Sequence, residues 1–105
     1  MDATYSLSLR EQLRAKFLTA IRWLGHQLEK SCQWQDAAGL YERGLEVDDL
    51  AEELYRRLMN CHIHLGRKSE ALLVYMRCRD MLSTVLGIEP SVETEKLHQT
   101  ITSRK

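Results

Sequence analysis

The groups best equipped for chemistry in this 105-residue chain are three cysteines and four histidines, and they crowd most closely at Cys61, His62 and His64. Thiolate and imidazole are good zinc ligands, so the cluster invites a metal reading. The spacing argues against it. Adjacent helical positions point about 100° apart, and ligand pairs on a helix sit three or four residues apart. Cys61 and His64 have the right separation, but Cys61 falls on an apolar stripe and His64 beside it. A packed cysteine and two surface histidines are expected instead. Cys78 occupies a small-residue packing position. A nucleophilic cysteine needs an electropositive, partly exposed setting, which none of Cys32, Cys61 and Cys78 has in this reading. The five glycines are isolated, so no phosphate-cradling loop is present. The expectation is a chain with no catalytic residue, no metal and no cofactor.

A second constellation is electrostatic. Arg22 and His26 recur at four-residue spacing, as do Arg56, Asn60 and His64. Thr19, Glu29 and Glu53 lie on the same faces. Were the two helices neighbours, Arg22, His26, Arg56, Asn60 and His64 would line one groove suited to an acidic or C-terminal peptide. The competing reading is a set of solvated helix faces, the usual fate of charged side chains. Arg10, Arg14, Lys16 and Arg22 form a basic strip diluted by Glu11 and Glu29, which reads as a solvated face rather than a nucleic-acid contact. Trp34 is expected in the core, and Trp23, beside an apolar stripe, at an interface with a partner.

The elements that must carry these groups are helices. One proline, five glycines and 44% hydrophobic residues fit no turn-rich sheet, and nothing alternates with period two over a strand's length. Leu9, Leu13, Phe17, Ala20, Ile21, Leu24 and Leu28 recur in steps of three and four, predicting one buried face on a helix that starts at a Ser8/Glu11 capping box and runs to about Lys30. A break at Ser31 to Gln33 follows. A second helix should bury Trp34, Ala37, Ala38, Tyr41 and Leu45. Asp49, with Glu52, starts a third with Leu54, Leu58, Cys61 and Leu65 inward, closed by Gly66. Ala71, Leu72, Tyr75, Cys78, Leu82 and Leu86 make a fourth stripe ending at Gly87. Pro90 and Ser91 then break and cap, so that a fifth helix, Val92 to Thr102, packs Leu97 and Ile101. Residues 1–7 are expected as a flexible lead and 8–105 as one domain.

Fifteen basic and fifteen acidic residues cancel, which removes the electrostatic footprint of a nucleic-acid binder and of polybasic membrane attachment. No apolar run approaches the roughly 20 residues of a membrane span. The opening residues lack a signal-peptide pattern, and an odd cysteine count does not suit a secreted disulfide framework. A cytoplasmic chain is expected.

The chain also resembles itself. Ala37 and Ala71, Tyr41 and Tyr75, Leu24 and Leu58, and Arg43 and Arg77 are each 34 residues apart, the spacing of the tetratricopeptide repeat. Gly25, Ala37, Gly44, Ala71 and Cys78 supply the small positions that let helices approach, with large residues filling the remaining volume. The second copy departs from the pattern at Met59 and His62. The fold predicted is all-α, with antiparallel helix pairs stacked as a right-handed tetratricopeptide-like array of about five helices, the last capping two repeats.

The stretch from Asp48 to Ile101 carries Glu52-Glu53-Leu54, Leu58-Met59, Gly66-Arg67, Glu70-Ala71-Leu72, Tyr75, Arg79, Leu82, Leu86-Gly87, Glu89-Pro90-Ser91, Glu93-Thr94 and Leu97. This string resembles the bacterial transcriptional activator domain of the Streptomyces antibiotic regulatory protein family, with Asp49 where that family commonly has proline. The resemblance implies a non-catalytic regulatory module, normally beside a winged-helix DNA-binding domain that these residues do not include. It implies partners that are protein: another copy, a homodimer being one such assembly, or other domains of the same regulator. The repeat alone also accommodates a free-standing adaptor that holds a peptide in the groove.

Overall fold

A computed structural model describes residues 3–103, with side chains described for residues 7–103. Five α-helices follow one another: α1 (Ala3–Lys30), α2 (Trp34–Val47), α3 (Glu52–His64), α4 (Lys68–Met81), continued by a π-helical turn (Leu82–Leu86), and α5 (Val92–Thr102). No strand occurs among the described residues. Each helix packs on the next, and α5 closes the array by resting on both α3 and α4. The result is elongated, 59 × 35 × 18 Å.

The 34-residue period is visible in the backbone. α2 and α4 both have 14 residues and start at Trp34 and Lys68, 34 apart. The turns before them match bond for bond. Gln33 N–H reaches Leu28 C=O at 2.8 Å, as Arg67 reaches His62 at 2.8 Å, and Cys32 reaches Glu29 at 2.9 Å, as Gly66 reaches Ile63 at 3.0 Å. Both turns pass through the left-handed region, at Cys32 (φ 58°) and at Gly66 (φ 74°). This helix-closing geometry favours glycine, and only the second copy has one.

Small residues set how closely the helices lie. Ala37 and Ala71 are fully buried, and Tyr41 and Tyr75 fill the equivalent volume in each pair. A Cβ added at Gly25 would stand 2.5 Å from Tyr41 Cε1, and one at Gly44 would stand 2.7 Å from Leu54 Cδ1. At each glycine a large side chain of the next helix, Tyr41 on α2 and Leu54 on α3, therefore lies directly against the neighbouring backbone. Leu54, Leu58, Met59 and Cys61 are completely buried around them.

Several expectations need correction. α1 begins at Ala3, so Ser8 and Glu11 lie inside the helix instead of capping it, and residues 3–7 of the expected lead are helical. Met1 and Asp2 lie outside the described residues. Leu9, Leu13, Phe17, Ala20 and Leu24 are exposed, and the buried side of α1 is built from Leu18, Ile21 and Gly25, with Leu28 partly covered. The physical reason is that α2, half as long as α1, covers only the C-terminal part of α1 and does so on a neighbouring face. α3 starts after Ala51 with no side-chain cap, and Asp49 instead accepts the Tyr55 hydroxyl on its carbonyl at 2.8 Å. Beyond α4 the wider i→i+5 winding keeps Leu82 in the core and turns Leu86 outward. Gly87, at φ 66°, ends that turn as expected. Ser91 caps α5 through a bond from Thr94 N–H.

Candidate functional site

The charged residues singled out from their spacing do not form one open groove. Arg22 Nε donates to Glu53 Oε1 at 2.9 Å, which ties α1 to α3. Glu53 also takes Arg57 Nε at 3.1 Å, and Arg57 Nη1 reaches Glu29 at 3.2 Å. Glu29 in turn accepts a short hydrogen bond from the Tyr41 hydroxyl. One chain of alternating charges thus stitches α1, α2 and α3 together. Burial pushes the Glu53 carboxyl up, but the bonds and charges of Arg57 and Arg22 outweigh it and leave its pKa below the ordinary glutamate value. Burial, then the Glu29 bond and charge, push the Tyr41 phenol strongly upward.

Arg56 is spent differently. Its Nη1 lies 3.2 Å from Thr94 Oγ1, 3.4 Å from Ser91 Oγ and 3.7 Å from Glu52. Glu52 accepts the Ser91 backbone N–H at 2.7 Å and a short bond from the Thr94 hydroxyl. Thr94 is wholly buried, so this knot fastens the first turn of α5 to α3. Burial raises Glu52, and the Thr94 and Ser91 hydrogen bonds with the Arg56 charge more than offset it, so its pKa falls below the ordinary value.

His64 is exposed, stacks on Trp34 with ring centroids 3.8 Å apart, and donates from Nδ1 to the Asn60 carbonyl at 3.0 Å. Asn60 is half-buried, while His26 and Trp23 face solvent. Arg22 and Arg56 therefore serve two separate internal networks. Arg57 and Thr94 are polar residues that spacing did not single out, and Glu52 was read only as the partner of Asp49 at the start of α3. Glu53 and Arg57 stand four apart on α3, a pairing readable in the sequence; the tie between Glu52 and Thr94, 42 residues away, was not.

Cys61 and Cys78 are buried as the packing argument expects, and Cys32 is exposed. Burial, with lesser pushes from Glu29 and from Glu52, raises the Cys61 and Cys78 thiols to about 12 each. Neither supplies thiolate at neutral pH. No group of three or more metal-ligating side chains gathers among the described residues. His62, half-buried, leaves its Nδ1 without a hydrogen-bond partner, and burial lowers its pKa.

An open cleft of about 370 Å³ lies between α3 and the end of α4, lined by Asp49, Tyr55, Arg77, Asp80, Met81 and Thr84. Arg77 sits 5.8 Å over the Tyr55 ring and is held by Glu42 at 3.1 and 3.2 Å. Its charge is already matched.

Apolar side chains also reach the surface. Leu9, Leu13, Phe17, Trp23 and Leu24 stand exposed on α1, and Val85, Leu86, Ile88 and Val92 stand exposed around the π turn and α5. A short all-α array of helix pairs, packed around one apolar core and tied between helices by ion pairs, is a scaffold of the helical-repeat class. The chain belongs to the bacterial transcriptional activator domain family, whose family model matches residues 2–102. It is accordingly a regulatory domain associated with transcriptional activators. No curated protein and no solved structure matches the chain. No helix among the described residues is long and apolar enough to cross a membrane.

Proposed function

We propose that this chain is the non-catalytic protein-interaction module of a cytoplasmic bacterial transcriptional activator, joining copies or domains of the regulator while a separate domain reads DNA. The observation that carries the reading is the family match over residues 2–102, on a fold that leaves an apolar stripe of α1 exposed. Arg22, Arg56, Arg57 and Arg77 are engaged with carboxylates of the same chain. The exposed apolar side chains of α1 offer a partner hydrophobic surface, the chief driving force of protein association. Equal numbers of basic and acidic residues leave no net charge to draw the domain toward a phosphate backbone.

The test is a promoter reporter driven by an activator that carries this domain, compared with the same activator lacking residues 8–103. Activation should collapse while the purified DNA-reading domain still binds its operator. An activator that works undiminished without the domain would end the proposal.

A further inference from the structure

α1 has 28 residues, about 42 Å of helix, whereas α2 has 14 and spans about half that. Arg14 lies 3.5 Å from Asp48, the residue that closes α2, so the N-terminal part of α1 extends past its neighbour. Every side chain from Leu7 to Phe17 is exposed. Along this arm one face remains apolar: Leu9 is 46% exposed, Leu13 58%, Phe17 41% and Leu24 44%, with Ala20 between the last two. These five positions fall within about 80° of arc on a helix. Trp23, 64% exposed, flanks them.

We propose that this face is the two-fold interface of a homodimer, formed by antiparallel pairing of α1 with α1 of a second copy. The proposal rests on the protein-interaction reading above and names the occupant. The argument is self-complementarity. The steps between Leu9, Leu13, Phe17, Ala20 and Leu24 are four, four, three and four, and they read nearly the same in reverse. Turned about an axis near residues 16 and 17, Leu9 lies over Leu24 of the second copy, Leu13 over Ala20, and Phe17 beside Phe17. An isologous contact requires such a pattern, and it closes at two copies. Ala20 provides room for the helices to approach to about 8–10 Å.

The area suffices. Covering Leu9, Leu13, Phe17, Trp23 and Leu24 would remove about 500 Å² of apolar surface per copy, or about 1,000 Å² in all, where specific interfaces begin. The charges give the sign of the salt response. Lys16 and Arg10 border the stripe, Glu11 lies on the far side of α1, and Lys16 stands near the axis. Like charges meet across the contact, so added salt should tighten the dimer; an acidic partner would be released by salt instead.

Sedimentation equilibrium of the chain from about 1 to 100 micromolar, at low and high salt, tests this. The expected result is a monomer–dimer equilibrium that stops at two copies and strengthens with salt. Leu13→Lys should weaken association at least about tenfold while leaving the helical signal and melting midpoint intact, because Leu13 is not in the core. Leu73→Lys, at an exposed position on α4, should change neither. In a Cys32→Ser background, Phe17→Cys should oxidise to a covalent dimer. A chain that stays monomeric, assemblies that grow past two, dimers that weaken with salt, or an unaffected Leu13→Lys variant would each overturn the proposal. If the chain is monomeric yet Leu13→Lys abolishes the reporter activation described above, the second copy is wrong as occupant and the interaction reading survives. If both assays ignore Leu13, both readings fall.

Discussion

Replacing Cys32 by glycine should stabilise this domain. Cys32 closes the α1–α2 turn at φ 58°, in the left-handed region, where an L side chain crowds the following carbonyl at a cost of about 1–2 kcal/mol. Glycine escapes that crowding, but its freer unfolded backbone takes back about 0.5–1 kcal/mol. The balance is a gain of about 0.5–1 kcal/mol. Nothing else is lost, since Cys32 is exposed and forms no disulfide. The equivalent turn 34 residues later supplies the control, because Gly66 holds φ 74° with the same hydrogen bonds. Gly66→Ala should lose about 1 kcal/mol. In a domain of this length each kcal/mol moves the melting midpoint by about 4–8 °C, so Cys32→Gly should melt about 2–8 °C higher. Urea unfolding followed by circular dichroism, under reductant, should show shifted midpoints with unchanged slopes. A Cys32→Gly protein less stable than the parent, or a Gly66→Ala protein that loses nothing, would refute the claim that the two turns are one repeated device under unequal strain.

Three further outcomes follow from the packing, the ion pairs and a buried phenol. Gly25→Ala should destabilise by about 1–3 kcal/mol, read by the same unfolding assay, because its Cβ would press on the fully buried Tyr41 ring; unchanged stability would mean α1 and α2 have room to separate. Glu52 and Glu53 have folded pKa values below their unfolded ones, so they stabilise the fold above about pH 4.3, and that contribution disappears as pH falls through the lowered values. Stability measured from pH 5 downward should decline, and Glu52→Gln should reduce the slope; a flat profile would remove the acid-sensitive role of both networks. At the other extreme, Tyr75 is raised to about 12 by burial and by its bond to Glu95, so its contribution is complete below about pH 10 and lost toward 12.

Local patterning by itself determined the helices and the repeat. Gly66, Gly87, Pro90 and Ser91 mark ends with chemistry that acts within a few residues, so α4 and α5 were legible to within a turn. The pairs Ala37/Ala71 and Tyr41/Tyr75 carried the 34-residue period because close helix packing demands small and large residues in fixed order. Only the tertiary structure decided which side of α1 is covered. Leu9, Leu13, Phe17 and Leu24 have the spacing of a core face, and spacing cannot tell a face that meets α2 from one that meets nothing, because coverage depends on where a neighbouring helix stops. The same holds for charge. Arg22 and Arg56 look alike in sequence, yet one meets Glu53 and the other a buried threonine 38 residues away, since long side chains take whatever partner the packed backbones bring within reach.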